Sequence, residues 1–186
     1  MNWTQFDQIP WRNQPVYAHQ WAPDRQPPAM LSKKEKEMLY WLTAHAYNGK
    51  DWIVDAGCFL GGSTIALATG LRDNPEAKNP PLIVSYDLFV TPKDPYTRGL
   101  LGPTFEMGDS FKHVYDRYIS KISDYVSVDA GNFKLKQWSR GAIDILFIDI
   151  AKCWETNQVL INEFFPVFGV GSCVIQQDYR TPYVPW

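Results

Sequence analysis

Short apolar runs alternate along this chain with segments whose apolar residues recur every three or four positions. The runs are typical of strands buried on both faces, and the recurring pattern is typical of helices with one buried side. The runs predict five strands, at Ile53–Ala56, Leu82–Tyr86, Tyr125–Val128, Ile143–Ile148 and Cys173–Gln176. The recurring pattern predicts four helices, one between Ser32 and the Asn48-Gly49 stop and others at Thr64–Leu71, Ser110–Ile122 and Cys153–Phe165.

This alternation of strands and helices also predicts the fold class. Strands without a polar face favour an α/β fold, with a mainly parallel sheet that helices cover on both faces. Because crossovers between parallel strands are right-handed, we expect the sheet to be doubly wound and Rossmann-like. The loop between Phe89 and Gly108 is too long for a simple connection, and we expect it to cover a binding site.

The first thirty-one residues follow neither pattern. Residues 1–31 are dense in aromatic residues and proline, and the prolines exclude a long helix. We interpret this segment as an extended arm ahead of one domain at residues 32–186. Its aromatic side chains pack on the same domain, form a homodimer contact or cover a substrate, and the sequence leaves these alternatives open.

Composition and charge narrow the functional classes. Of 186 residues, 45% are hydrophobic and 20% are charged, and the net charge is -2. This balance gives no reason to expect a nucleic acid or an anionic membrane as partner. No apolar run approaches the ~20 residues that span a bilayer. The three cysteines are an odd number in apolar contexts, which predicts free thiols and a cytoplasmic protein.

An acidic residue stands at or near the end of every predicted strand. These residues are Asp55, Asp87, Asp129, Asp149 and Asp178. Parallel strands end at a common edge, and ligands of doubly wound sheets bind outside that edge. Carboxylates that lie close together repel one another unless cations or hydroxyl groups pair with them, so the pattern predicts a ligand site.

The segment "IVDAGCFLGGST" joins the first strand to the next helix. Gly57 allows a sharp turn, and Gly61 with its neighbour leaves room for a ligand. Ser63 opens the helix, whose free N–H groups would then face that ligand. Asp87, one strand later, is placed to accept hydrogen bonds from two ribose hydroxyls, which indicates an adenosine-type site.

The position of Asp55 bears on which nucleoside would bind. A nicotinamide-binding protein would show GxGxxG without a preceding acid, whereas here Asp55 precedes a G-x-x-x-G-G spacing. This favours a ligand that has no pyrophosphate and carries an ammonium group that Asp55 could attract. An NAD-dependent oxidoreductase is retained as the less favoured alternative.

"VDAGCFLGGST" resembles motif I of the class I S-adenosylmethionine (SAM)-dependent methyltransferases. Its G-x-F-x-G-x-S pattern is closer to the O-methyltransferase branch, which includes catechol O-methyltransferase and the macrocin-type enzymes, than to the commoner GxGxG form. "SYDLF" is similar to the ribose-binding motif of that family, and "VDAGN" resembles the segment that flanks the adenine. The resemblance implies SAM as cofactor and O-methylation of a small hydroxylated acceptor, a sugar or a phenol. It implies these cofactor-binding residues: Asp55, Gly57, Phe59, Gly61, Ser63, Asp87 and Asp129.

Two later segments resemble the catalytic part of the family. "LFIDIAK" is similar to the D-x-x-K of catechol O-methyltransferase, which implies that Asp149 binds a divalent metal and that Lys152 is the base. "VIQQDY" is similar to the acidic strand end of the macrocin-type enzymes. Together they imply a site for Mg²⁺ or another divalent cation formed by Asp149, Gln177 and Asp178.

The chain departs from the family in two places. Gln177 stands where the family has an acidic residue, which weakens one metal ligand. The chain also ends at Trp186, without the antiparallel strand pair that usually follows the fifth strand, so it is either truncated or keeps an open sheet edge. These departures keep open a second hypothesis, a non-catalytic SAM-binding module or a fragment.

Overall fold

Five parallel strands form the sheet in the described part of the chain, residues 26–77 and 82–178 of a computed structural model. The strands are β1 (Trp52–Ala56), β2 (Ile83–Asp87), β3 (Val126–Ala130), β4 (Ile143–Ile148) and β5 (Phe168–Gln176). Their order is β3-β2-β1-β4-β5, and every neighbouring pair is parallel. The order reverses between β1 and β4, as in a doubly wound sheet, so the predicted α/β class is confirmed.

One helix precedes β1, and the other four lie between strands in sequence. They are α1 (Lys33–Trp41), α2 (Gly62–Asp73), α3 (Pro95–Leu101), α4 (Lys112–Ile119) and α5 (Trp154–Val159). A wider π-helical turn continues two of them, Leu42–Ala46 after α1 and Leu160–Phe164 after α5. Short 3₁₀ turns occupy Ser123–Tyr125, Phe133–Leu135 and Phe165–Val167.

The start of α1 follows from a capping box that the sequence predicts. The Ser32 hydroxyl accepts a hydrogen bond from the backbone N–H of Glu35, at 3.3 Å, and the Glu35 carboxylate accepts one from the Ser32 N–H, at 2.6 Å. The other end of this helical segment is closed by Asn74, whose buried amide donates to the carbonyl oxygens of Thr43 and Tyr47.

Successive residues of the central strands point into two separate cores. Ile53 and Ile83 belong to the core beneath α1, α2 and α4, whereas Val54 and Val84 belong to the core that includes Leu160 on the opposite face. Because side chains alternate along a strand, a strand covered on both faces must be apolar throughout. The burial of these two faces supplies most of the stabilisation.

Two elements differ most from the prediction. The loop between residues 89 and 108 contains α3, which Asp94 caps by accepting a hydrogen bond from the Thr97 N–H at 2.7 Å, with Pro95 as its first residue. Strand β5 begins at Phe168, five residues before the predicted start at Cys173. Residues 1–25 and 179–186 lie outside the described residues, so the division into an arm and a domain stays a prediction.

Candidate functional site

The carboxyl ends of β1, β2 and β4 bring Gly57, Asp87 and Asp149 to one edge of the sheet. Ala56, the last residue of β1, is in register with Tyr86 of β2 and with the last residue of β4. The Gly57 N–H donates to a β2 carbonyl at 2.8 Å, and the Asp149 N–H donates to a β1 carbonyl at 2.8 Å. These residues therefore lie at the switch point of the sheet, where ligands of doubly wound folds bind.

Asp55 lies inside the sheet rather than at its edge. It has no exposed surface, and its two carboxylate oxygens accept hydrogen bonds from the Ser63 hydroxyl at 2.9 Å and the Thr64 hydroxyl at 2.5 Å. These bonds hold the first turn of α2 against β1. Burial raises the pKa of Asp55 to about 7, although the two hydroxyl groups oppose the shift. Cofactor contact by Asp55 and Ser63 stays a prediction.

Asp87 connects the ends of two loops. One carboxylate oxygen accepts a hydrogen bond from the Phe59 N–H at 2.9 Å, and the other accepts one from the Phe89 N–H at 2.8 Å. Both phenylalanines have a positive φ, 46° and 54°, which is unfavourable for an L-residue with a large side chain. Burial raises the pKa of Asp87, against the effect of these hydrogen bonds. A carboxylate offers about four acceptor positions, so Asp87 keeps capacity for a ligand.

The glycines of the β1–α2 loop are required by contacts within the chain. Gly57 has φ 100°, and a Cβ there would lie 2.8 Å from the backbone oxygen of Asp149. Gly61 has φ 93° and lies against side chains of α4. A Cβ on Gly62 would lie 2.7 Å from the Cβ of Ala29. The space expected for a ligand beside Gly62 is therefore taken by Ala29, from the segment that precedes α1.

Asp129, at the end of β3, is paired within the chain. Its carboxylate lies 2.5 Å from the ammonium of Lys136, which also donates to the Ala130 carbonyl at 2.8 Å. The same ammonium lies 6.0 Å from the centre of the Tyr86 ring. The Lys136 ammonium thus neutralises the charge of Asp129. The contact of Asp129 with an adenine ring stays a prediction.

Lys152 lies between the two carboxylates that were predicted to bind a metal. Its ammonium is 3.0 Å from Asp149 and 2.6 Å from Asp178. Burial acts to lower the pKa of Lys152, but the hydrogen bonds and charges of the two carboxylates outweigh it and the net shift is upward. Burial also raises the pKa of Asp149 to about 6, although Lys152 opposes the shift. The surroundings therefore oppose the lowered pKa that a lysine base requires.

Gln177, the third predicted metal ligand, is held differently. Its backbone N–H donates to the Ile148 carbonyl at 2.9 Å, and its side-chain oxygen is buried without a hydrogen-bond partner. Among residues 26–77 and 82–178, no three His, Cys, Asp or Glu side chains come together as a metal-binding group.

A cavity of about 250 Å³ lies at this edge of the sheet. It is lined by five of the predicted site residues: Gly57, Phe59, Asp87, Asp149 and Lys152. Asp55, Gly61, Ser63, Asp129, Gln177 and Asp178 are not among its lining residues. A larger, open concavity of about 860 Å³ lies between α3 and the loop after it, and none of the predicted site residues lines it.

The rest of the cavity wall is mainly apolar, and sequence reasoning did not identify it. These lining residues are Met30, Leu88, Val90, Pro92, Thr97, Phe111 and Ile150. Leu88 and Ile150 directly follow the strand-end acids Asp87 and Asp149, and Leu88 is 53% exposed. An apolar residue directly after a strand-end acid is therefore the sequence signal that could have identified part of this wall. Three members of the wall come from the 89–108 loop, which was expected to cover a binding site.

A parallel sheet of this order, with acidic residues at the strand ends beside its switch point, has a Rossmann-like fold. Comparison with solved structures shows more specifically that the chain has the fold of SAM-dependent methyltransferases. It matches CalS11, a TDP-rhamnose 3'-O-methyltransferase of calicheamicin biosynthesis, with TM-score 0.53 and 16% identity over 81% of this chain and 63% of that one.

Two further solved structures have the same fold. Cofactor-bound Rv0187 from MTB matches with TM-score 0.51 and 20% identity, over 82% of this chain and 59% of that one. The S-adenosylhomocysteine (SAH)-bound methyltransferase PaMTH1 of Podospora anserina matches with TM-score 0.50 and 15% identity, over 87% and 58%. The chain therefore spans about three fifths of the length of these proteins. No family model and no curated protein sequence matches it.

None of the helices among the described residues combines the length and the apolar character needed to cross a bilayer.

Proposed function

We propose that the chain binds SAM and transfers its methyl group to an oxygen of a small hydroxylated acceptor, such as a phenol or a sugar. The proposal is carried by one observation, the cavity that Asp87 and Asp149 line together beside the β1–α2 loop. The shared fold supports the choice of cofactor. When bound, SAM supplies a methyl group attached to a positively charged sulfur.

The residues around the cavity fit such a cofactor. Asp87 can still accept hydrogen bonds from ribose hydroxyls, because a carboxylate offers about four acceptor positions and the N–H groups of Phe59 and Phe89 take two of them. Asp149 places a carboxylate where a cationic sulfur would be favoured. At about 250 Å³, the cavity is slightly smaller than typical ligand sites, ~300–1,000 Å³. We infer that Met30 and its neighbours, which lie over the β1–α2 loop, shift to admit the cofactor.

Asp149 is the better candidate for removing the proton of the acceptor hydroxyl. Methyl transfer to oxygen requires this proton to leave, and a general base acts best when its pKa is near the working pH. The pKa of Asp149 is raised to about 6, whereas Lys152 is held as an ammonium between two carboxylates. In this proposal Asp149 accepts the proton, and Lys152 holds the Asp149 carboxylate in place.

The apolar part of the wall supports an acceptor with a hydrocarbon or ring portion. Leu88, Val90 and Ile150 line the same cavity as Asp149. A phenol or a deoxygenated sugar would place its apolar face on these side chains and its hydroxyl near the carboxylate.

The test separates cofactor binding from turnover. Isothermal titration calorimetry of the full chain with SAH should show binding, and Asp87→Asn should weaken it roughly tenfold or more. Asp116→Asn is the matched control, since Asp116 is an exposed partner of Lys112 on α4. Methyl transfer to a panel of phenols and sugars should be lost in Asp149→Asn while SAH binding remains. Binding of NAD with no response to SAH would refute the proposal.

A non-catalytic SAM-binding module is the second candidate. It is favoured by the ion pair of Asp149 with Lys152, because the ammonium acts to lower the pKa of Asp149 and so makes this carboxylate a weaker base. SAH binding without methyl transfer to any acceptor would support the module over the enzyme.

A further inference from the structure

The ends of β4 and β5 place two carboxylates around one ammonium group. Asp149 directly follows β4, and Asp178 lies two residues after β5, its neighbour in the sheet. The Lys152 ammonium lies 3.0 Å from the first carboxylate and 2.6 Å from the second. At these distances the ammonium is hydrogen-bonded to both carboxylates. Lys152 therefore lies at the point where a cation shared by these two carboxylates would lie.

The backbone on both sides supports this arrangement. The Lys152 N–H donates to the Ile150 carbonyl at 2.8 Å, in a tight turn that follows β4. Asp178 has a positive φ of 59°, which is uncommon for a residue with a side chain. Lys152 and Asp178 are 26 residues apart in sequence, so their contact depends on the pairing of β4 with β5.

The side-chain oxygen of Gln177, the third predicted ligand, does not hydrogen-bond to the Lys152 ammonium that lies between the two carboxylates. Mg²⁺ requires near-octahedral oxygen coordination, and Ca²⁺ takes six to eight oxygen ligands. The side-chain oxygen of Gln177 is buried and makes no hydrogen bond, either to Lys152 or to any other described group. The two carboxylates are already paired with the ammonium. The predicted ligands Asp149, Gln177 and Asp178 therefore do not fit a divalent cation while Lys152 lies between two of them.

We propose that the Lys152 ammonium is a built-in cation that takes the place of a divalent metal between Asp149 and Asp178. Lys152 is thereby a positioning residue, which fixes the Asp149 carboxylate at the edge of the cavity. The chain in this state does not recruit Mg²⁺, Ca²⁺ or Mn²⁺ to this point. Removal of the ammonium would leave two adjacent carboxylates and convert the position into a site that binds a divalent cation.

The test measures Mn²⁺ binding to the full chain by electron paramagnetic resonance, without any nucleoside. Wild-type protein should show no 1:1 binding in the micromolar range. Lys152→Met should bind Mn²⁺ about tenfold or more tightly than wild type, because the uncharged side chain of similar length leaves both carboxylates unpaired. A second substitution, Asp149→Asn, should abolish that gain. Lys152→Arg, which keeps a cation, should behave as wild type.

Two results would overturn the proposal. One is micromolar 1:1 Mn²⁺ binding by wild-type protein that Asp149→Asn removes. The other is a folded Lys152→Met protein, as judged by a cooperative thermal transition, that gains no Mn²⁺ affinity. The wild-type measurement stands by itself if the variant does not fold. Because no arm uses SAM or SAH, failure of the proposed methyl transfer and failure of this inference remain distinguishable.

Discussion

The carboxylate of Asp87 accepts a hydrogen bond from the backbone N–H of Phe59 at 2.9 Å, across 28 residues of sequence. This bond joins the end of β2 to the β1–α2 loop. Because Phe59 has a positive φ of 46°, its conformation depends on partners that outweigh the strain. Asp87 therefore shapes the cavity wall in addition to its proposed contact with a ribose.

Replacing Asp87 by alanine should reduce stability as well as ligand binding. The change leaves the N–H groups of Phe59 and Phe89 without their acceptor, at a cost of roughly 1–3 kcal/mol in the free energy of unfolding. Urea unfolding would measure it. Asp116→Ala, which breaks an exposed ion pair with Lys112, should cost about 1 kcal/mol or less. Equal losses in the two variants would contradict the structural role of Asp87.

A second prediction concerns Gly57, where both space and backbone conformation exclude a side chain. Gly57→Ala should lower the free energy of unfolding by more than the ~1–3 kcal/mol of left-handed strain alone, because its Cβ would lie 2.8 Å from the Asp149 carbonyl oxygen. Gly99→Ala is the matched control: Gly99 lies within α3, and a Cβ there has no atom within 4 Å. That control should be neutral or stabilising by up to about 1 kcal/mol. Thermal unfolding of a Gly57→Ala protein at the wild-type temperature would disprove the close contact.

The sheet could be predicted from the sequence because its central strands are covered on both faces. A short, continuous apolar run such as Ile143–Ile148 predicts a strand buried on both faces when helical segments stand before and after it in the chain. The first part of β5 was missed because Gly169 and Gly171 resemble a loop and because Val170 between them is exposed, which leaves no buried apolar run. The helix α3 was missed despite its Asp94-Pro95 start, since glycines follow within a few residues.

The site was harder to predict than the fold. Asp55 and Asp87 both end apolar runs, and sequence does not show that one is enclosed by hydroxyl groups while the other lines a cavity. Likewise, a glycine is needed where a side chain would collide with a ligand and also where it would collide with the protein itself, as at Gly57 with Asp149 and at Gly62 with Ala29. Both cases produce the same sequence motif. Asp149 and Asp178 were expected to share one cation, but the position of the Lys152 ammonium between them depends on side-chain conformation, which the sequence does not specify.

The buried carboxyl of Asp55 should make stability depend on pH. Its pKa in the folded protein is about 7, above the ordinary value of 3.8, so the folded state binds this proton more tightly than the unfolded state. The contribution of Asp55 to stability is therefore present below about pH 4 and is lost as pH rises toward 7. Asp55→Asn should flatten this part of the profile, measured by urea unfolding at intervals between pH 4 and 8.

Asp149 contributes to the same profile with the same sign, because its pKa is also raised, to about 6. The comparison that isolates Asp55 is therefore wild type against Asp55→Asn, with Asp116→Asn as the exposed control. If the decrease in stability with rising pH were unchanged in Asp55→Asn, the proton would have to be assigned to another group.

The last prediction uses the charge difference between the two forms of the proposed cofactor. SAM carries one more positive charge than SAH, because its sulfur is bonded to three carbons. The Asp149 carboxyl lines the cavity and has a pKa of about 6, so it gains negative charge between pH 5 and 7.5. The affinity for SAM should therefore rise relative to that for SAH over this range, by several-fold, since charges near a protein surface interact strongly.

Calorimetric titration of both ligands at each pH gives the ratio of the two affinities directly and cancels effects that the ligands share. In Asp149→Asn the ratio should not change with pH, whereas Asp116→Asn should behave as wild type. A wild-type ratio that stays constant from pH 5 to 7.5 would show that Asp149 does not face the charged sulfur, contrary to the proposed site.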